Sequence, residues 1–440
     1  MDDSIIIGFS KYSKPQRIEA LIQKYNFKAD LGKWLGSFEL TDPVTQKIIA
    51  DLSENQVSNF HLPFSIAPNF VVNGHNMFFP LVSEESSVVA ALSNAAGFWA
   101  ARGGFHAEVL GTEKKGQVHF KWKGKVEKLR LLFPEIKERL LAESAFLMTK
   151  MVERGGGIIS LELKEMNHVL PNYFQVDAGF QTCDAMGANF INTCLEQLSK
   201  SLQGYFRISD KVSDEEQDCE IIMAILSNYS PDSQVRAWVE CPVTGLLEGK
   251  SQEENRLFVR KFEEAILISQ ADIWRAVTHN KGIFNGIDAL AMATGNDFRA
   301  IEASGHAFAA RNGSYSGLTD VKVKDGKFKF SIELAMAVGV VGGVTGVHPM
   351  SKLALRMLGN PSAPELMMYL AVAGLASNFG AVKALVSIGI QKGHMKMHLN
   401  NIMNQLNIPE VKRPEIQQYF KDKTSSYSAV EQYWKNHKDE

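Results

Sequence analysis

The chain has 440 residues, 45% of them apolar and 22% charged, with a formal net charge of −2. That length predicts two or three domains around large buried cores, and the near-neutral balance excludes a global field drawing the protein to nucleic acid or an anionic membrane. Cys183, Cys194, Cys219 and Cys241 form no C-x-x-C pair, which argues against a zinc knuckle and for reduced, buried thiols in a cytoplasmic protein.

The N-terminal stretch lacks the basic, apolar, small-residue layout of a secretion signal and reads as polar and helical. A strand is expected at Asn69–Val72. Val82-Ser-Glu-Glu-Ser-Ser87 then opens a helix through Val88, Val89 and Leu92. Acids at a helix start ordinarily serve the helix dipole. The alternative puts one of Glu84 and Glu85 in a dry cleft, where a raised pKa would make it a proton donor.

The middle of the chain has a legible order. Gln117–Gly124 alternates like a strand, and Val126–Met151 has helical spacing, with Pro134 a candidate break in its first turns. Gly155–Gly157 reads as a turn, Ile158–Leu163 and Tyr173–Phe180 as strands, Asn189–Leu202 as a helix and Glu220–Leu226 as a strand. The order βαββαβ predicts a ferredoxin-like domain at 112–222. It is inserted into a larger mixed α/β domain formed by 1–111 and 223–390, giving an α+β protein. Asp184-Ala-Met-Gly-Ala-Asn189 opens the second helix of the inserted domain. Gly187 there allows either close approach to a pyrophosphate or tight packing at the helix start.

Beyond the inserted domain, Glu253–Gln270 is helical, and Thr278–Asp297 reads as rich in turns. Within it, Asn280 and Gly282 bracket Lys281, which predicts a turn. The lysine is either a solvated surface group or one aimed at a developing oxyanion. Asp297 precedes a helical spacing, so it is an N-cap or a partner that keeps a lysine charged. Gly339-Val-Val-Gly-Gly-Val-Thr-Gly346 lacks Rossmann spacing and points to close packing. The apolar run Leu366–Ile390 contains Asn378 and Lys383, which predicts a buried helix rather than a membrane span. From Gln391 the tail is polar and helical. Gly389 and Gly393 are candidate hinges of a cap at 391–440. His394 and His398 stand at a metal-compatible spacing without a third ligand, so no metal is expected.

DAMGAN at 184–189, THNKG at 278–282, ATGND at 293–297 and KGHM at 392–395, in this order, resemble the signatures of class II 3-hydroxy-3-methylglutaryl-coenzyme A (HMG-CoA) reductases. GFSK at 8–11, VSEE at 82–85 and LSN at 226–228 also fit. The resemblance implies reduction of HMG-CoA to mevalonate and free coenzyme A by NADPH, or by NADH, without metal. By this match Lys281 binds the thioester oxygen, Asp297 tunes it, Glu85 is an acid and His394 protonates the departing thiolate. Ser87, Asn228, Arg275 and Asn285 match substrate contacts. Asp184, Met186, Gly187, Ala188 and Asn189 match the nucleotide site, and Lys150 is placed to pair with a 2′-phosphate. The resemblance further implies a homodimer, or a higher even oligomer, with sites between subunits, and a C-terminal flap. Ser86 stands where relatives often have Pro, and Glu54–Ser58 is less regular than theirs. The competing readings are a reductase of another acyl-coenzyme A or aldehyde, and a non-catalytic acyl-coenzyme A binding protein.

Overall fold

The computed structural model describes residues 6–27, 30–387, 399–400, 402–421, 423 and 425–437. The N-terminal region is helical, as its sequence suggests: α1 (Lys14–Tyr25), α2 (Leu31–Gly36) and α3 (Pro43–Ala50) bury no residue. β1 (Phe64–Val72) and β2 (His75–Val82) form an antiparallel hairpin whose register slips between Ala67 and Phe70. Pro68 sits at that slip, where its missing N–H costs the ladder nothing. Asn73 and Gly74, both at positive φ, close the hairpin with the backbone twist that two-residue turns require. The strand expected at Asn69–Val72 is the second half of β1. α4 (Ser86–Ala100) follows and buries Leu92, Ala96 and Trp99.

The segment after β3 (His106–Val109) reads β4 (Lys114–Trp122), α5 (Val126–Val152), β5 (Gly157–Glu165), β6 (Tyr173–Gln181), α6 (Ala188–Ile208), β7 (Cys219–Leu226). Its four strands lie in the order β5-β6-β4-β7, all antiparallel. β4 alternates buried and half-buried positions along its length, and Val118, Phe120 and Trp122 meet Ile136, Leu140, Leu198 and Phe206 of the two helices in one core. Pro134 does not break α5. It lies on the exposed side of the helix, where the turn that loses a hydrogen bond to it faces solvent. The chain enters and leaves this unit side by side: Gly111 and Gln234 exchange both backbone hydrogen bonds, at 3.2 and 3.0 Å.

β8 (Gln234–Pro242), α7 (Gln252–Ala271), α8 (Ile273–Ala293), α9 (Phe298–Ala309), β9 (Thr319–Lys324), β10 (Lys327–Ala335), α10 (Gly343–Val347), α11 (Pro349–Met357) and α12 (Ala363–Val386) complete the larger core. A second antiparallel sheet, β3-β8-β10-β9, is the part of the fold that the sequence reading does not anticipate. Phe328, Phe330, Ile332 and Leu334 of β10 and Phe262 of α7 pack in this core with Phe379 and Leu370 of α12. α12 is long and apolar enough to cross a membrane by length and composition, yet most of it is buried inside the protein, in accord with a core helix. A third, small core gathers Leu399, Ile402, Met403, Ile408, Ile416, Phe420 and Val430.

The turn-rich reading of Thr278–Asp297 is overturned. Residues 278–293 belong to α8, and only 294–297 turn. Asn280 and His279 are spent on tertiary hydrogen bonds. Gly286 lets α8 approach α12 so closely that an added Cβ would overlap the Ala373 carbonyl oxygen. Packing, not turn formation, is what these residues serve. All four cysteines are free; three are buried, but Cys183 is only half-buried.

Candidate functional site

A cavity of about 560 Å³ lies between the start of α6 and the larger core. Its walls come from residues 185–190, from Met292 and 295–299 at the turn joining α8 to α9, and from Gly339 and 341–345 of the glycine-rich segment. DAMGAN and ATGND therefore meet in one space. Gly187, at φ +94°, ends the approach to α6 and gives it no side-chain cap. The N–H groups of Ala188, Asn189 and Phe190, the first of the helix, are left to serve whatever occupies the cavity.

Asp184 does not line the cavity. Its carboxylate accepts from the Ala363 N–H at the start of α12 (2.8 Å), and its carbonyl accepts from the Val340 N–H (2.9 Å). Ala185 pairs with Val341 as a parallel bridge. Any side chain at Gly339 would overlap the Met186 backbone nitrogen. The glycine-rich segment thus serves close packing, as its spacing suggests, and in doing so it forms a cavity wall. The Asn296 side chain accepts from the Gly339 N–H at 2.9 Å and ties that wall to the turn.

Asp297 sits on the same turn as the N-cap of α9, accepting from the Ala300 N–H at 3.1 Å. Arg299 is its ion-pair partner at 3.4 Å. Lys281 is exposed in the middle of α8, and no ion pair within 4 Å joins it to Asp297. From residue 281 to the helix end at Ala293 the axis rises about 18 Å, so within one chain the two groups stay apart. The residues beside Lys281 are anchors. His279 shares a 2.6 Å hydrogen bond with Thr319 Oγ1, and burial, then the charge of Arg275, push its imidazole down to about 3. Asn280 donates to the Ser316 carbonyl at 2.9 Å and accepts from the Leu318 N–H at 3.0 Å. Lys281 is thereby held facing outward, on the same side of the helix as half-buried Asn285.

Other sequence-derived candidates are scattered in the single chain. Glu85 precedes α4, exposed rather than in a dry cleft, and accepts a short hydrogen bond from Ser87. Asn228 is exposed in the loop after β7, and Arg275 is half-buried in the first turns of α8. Lys150 is exposed in the last turn of α5, away from the cavity lining. His394, His398, Gly389 and Gly393 lie outside the described residues. Among the described residues, no group of three His, Cys, Asp or Glu side chains converges to hold a metal.

Two features escape the sequence reading. Asp288 of α8 and Glu302 of α9 face each other across the helices that flank the Asp297 turn. Burial, then the Glu302 charge and hydrogen bond, push Asp288 up to about 8. Lys114, at the start of β4, is buried beneath the 182–187 turn. The signal for Lys114 was a charged residue at an inward position of an alternating strand; the Asp288–Glu302 pair had no local signal.

The family model described as Hydroxymethylglutaryl-coenzyme A reductase matches residues 16–399. A 3-hydroxy-3-methylglutaryl-coenzyme A reductase from Archaeoglobus fulgidus is 34% identical over 408 residues, 91% of this chain and 86% of that protein. A probable enzyme of the same name from Borreliella burgdorferi is 32% identical over 82% of this chain and 79% of its own. Among solved structures, the class II enzyme from Streptococcus pneumoniae, bound to NADPH in open conformations, is 37% identical. It superposes with a TM-score of 0.70, over 87% of this chain and 99% of that one.

Proposed function

Because the chain belongs to the hydroxymethylglutaryl-coenzyme A reductase family, we propose that it reduces HMG-CoA to mevalonate and free coenzyme A with two equivalents of NADPH. One observation carries this reading: the cavity joins the uncapped N–H groups at the start of α6 to the turn that carries Asp297. Those N–H groups fit the oxygens of a dinucleotide, and Gly339, Gly342 and Gly343 open a facing wall that also carries Val341, Val344 and Thr345. Met186, Gly187, Ala188 and Asn189 would hold the cofactor, with Asp184 acting behind them through α12. The bound cofactor supplies hydride, first to the thioester carbon and then to the aldehyde carbon.

The chain's own groups manage charge and protons. Lys281 stabilises the oxyanion formed at each reduction, and Asp297 keeps that lysine charged. Collapse of the hemithioacetal breaks the C–S bond, and His394 protonates the thiolate that leaves. Glu85 supplies the proton to the alcohol oxygen of mevalonate. Ser87, Asn228, Arg275 and Asn285 bind the substrate's polar groups.

The site is completed across two copies of the chain. Ile273, Trp274 and Val277, exposed by 56%, 83% and 54%, share one side of α8 with Lys281. An apolar flank of this kind beside a catalytic lysine suits the seam of a homodimer. Residues 112–222 serve as the nucleotide-binding domain, 1–111 with 223–390 as the substrate domain and 391–440 as a flap, in a cytoplasmic enzyme. Lys150, outside the cavity lining, would favour NADPH by reaching the 2′-phosphate at the far end of the dinucleotide.

The test mixes purified protein, HMG-CoA and each reduced nicotinamide, and follows cofactor absorbance and free thiol. Two cofactors should be oxidised per thiol released, with a higher kcat/KM for NADPH than for NADH. Absence of HMG-CoA-dependent oxidation with either cofactor would reject the function. Equal or better efficiency with NADH would reject the preference alone.

A further inference from the structure

β4 turns its buried side chains toward the helices of its unit, and one of those inward positions is a lysine. Lys114 is 5% exposed. Its ammonium donates to Thr182 Oγ1 and, at 2.7 Å, to the Ala185 carbonyl. The Thr182 hydroxyl in turn donates to the same carbonyl at 2.7 Å, and the Ala185 N–H closes the turn on the Thr182 carbonyl at 3.0 Å. Gly187 completes the arrangement. Its left-handed backbone lies so close to Thr182 that a Cβ there would come 2.9 Å from the threonine Cβ. One buried cation therefore ties Thr182 to Ala185 within the run that leads to Gly187, and that run aims the uncapped start of α6 into the cavity.

Both acceptors of this cation are neutral. The ionisable groups acting on it are Cys183 and Asp184, while its chain neighbours Glu113 and Lys115 pair with each other. Asp184 is already engaged by the Ala363 N–H. A buried ammonium without a carboxylate partner is costly, and burial lowers Lys114 to about 8. No step of the proposed reduction uses this residue.

We propose that Lys114 is a positioning residue for the reductase: in its charged form it holds the Thr182–Gly187 turn in the shape that binds the nicotinamide cofactor. This rests on the reading of residues 186–189 as the cofactor loop. Loss of the proton removes the charge-assisted character of two hydrogen bonds, so the turn loosens and cofactor affinity falls. The substrate side and the proton donors are untouched.

The experiment uses the full-length enzyme and reads KM for NADPH, KM for HMG-CoA and kcat between about pH 6 and pH 10, with NADPH binding measured separately by its fluorescence. Wild type should show a KM for NADPH that is level at low pH and climbs through about pH 8. Lys114→Met should raise it roughly ten- to a hundred-fold at low pH, the expected loss of charged hydrogen bonds, and should abolish the climb. Its kcat at saturating NADPH and its KM for HMG-CoA should move little. If Lys114→Met does not fold, the Thr182 pair decides: Thr182→Val should raise KM for NADPH, and Thr182→Ser should restore it. Wild-type NADPH affinity in Lys114→Met, or in Thr182→Val, overturns the proposal. So does a uniform loss in kcat and both KM values, which marks a merely structural role. A wild-type protein that never oxidises NADPH with HMG-CoA would fail the functional reading instead.

Discussion

Asp288 keeps its proton at neutral pH because its carboxyl is buried against another carboxyl. Its pKa stands near 8 in the folded chain and near 3.9 in an unfolded one. The native state therefore binds the extra proton between those values, and the stability from this group falls as pH rises from about 4 to about 8, then levels. Asp288→Asn removes the titration but keeps the hydrogen bond to Glu302. The variant's Tm should lie above wild type at about pH 9 and decline less between about pH 6 and pH 9; identical slopes would refute this. Roles at the reacting carbon separate by substrate. Mevaldehyde has no thiol to expel, so His394→Ala should lose ~10²-fold on HMG-CoA yet largely retain mevaldehyde reduction. Lys281→Ala should lose ~10²–10³-fold on both, and Glu85→Gln should also slow mevaldehyde reduction. Equal damage to both substrates in His394→Ala would remove it as the thiolate's acid. Lys281, Glu85 and His394 stand out in the sequence only through the motifs that carry them. Asp288 does not, because an acid pair between two helices exists only after the chain has turned at 294–297.

Between elements, glycine decides how closely α8 and α12 cross. A glycine inside a helix ordinarily costs about 1 kcal/mol relative to alanine. Gly282→Ala places its methyl at an ordinary 3.9 Å from Asn378 Nδ2, so it should stabilise the protein by up to that amount. Gly286→Ala drives its methyl into the Ala373 carbonyl oxygen and to 2.8 Å from Ser377 Cβ. Overpacking then wins, and the net loss should be about 1–3 kcal/mol. Urea midpoints of the two variants should move in opposite directions; a shift of the same sign in both would defeat the argument. The same contacts explain what the sequence concealed. Asn280, Gly282, Asn285 and Gly286 carry local turn signals, and only the partner helix converts them to helix. The βαββαβ segment was legible because its elements announce their own periods within a continuous stretch. The β3-β8-β10-β9 sheet was not, although β10 alternates cleanly as Phe328, Phe330, Ile332 and Leu334. Its pairing joins His106 to Trp238 and Phe330 to Val239, across chain distances that no local pattern encodes.

At the scale of the whole molecule, the separation of Lys281 from Asp297 has a numerical signature. If each site takes Lys281 from one copy and Asp297 from the other, Lys281→Ala and Asp297→Asn homodimers are both inactive. Co-refolded in equal amounts, they should recover about a quarter of the wild-type sites, because half of the dimers are mixed and each mixed dimer has one intact site. No recovery, with exchange verified by mass, would place both groups in one chain. Trp274→Glu should lower activity and dimer content together, which sedimentation and turnover measured over the same concentrations would check.

Gly111 and Gln234 meet as a hydrogen-bonded pair at the neck through which the chain enters and leaves the β4–β7 unit. Everything between them hangs from the larger sheet like a tool held in a socket. Cutting at the neck breaks no strand of that sheet, since β3 ends at Val109 and β8 begins at Gln234. A two-residue turn joining the neck should leave a remainder that still folds, because antiparallel neighbours accept such a closure. The excised piece, with its own core, should also fold alone. A cut at one hydrogen-bonded neck thus parts two cores, each gathered from its own residues.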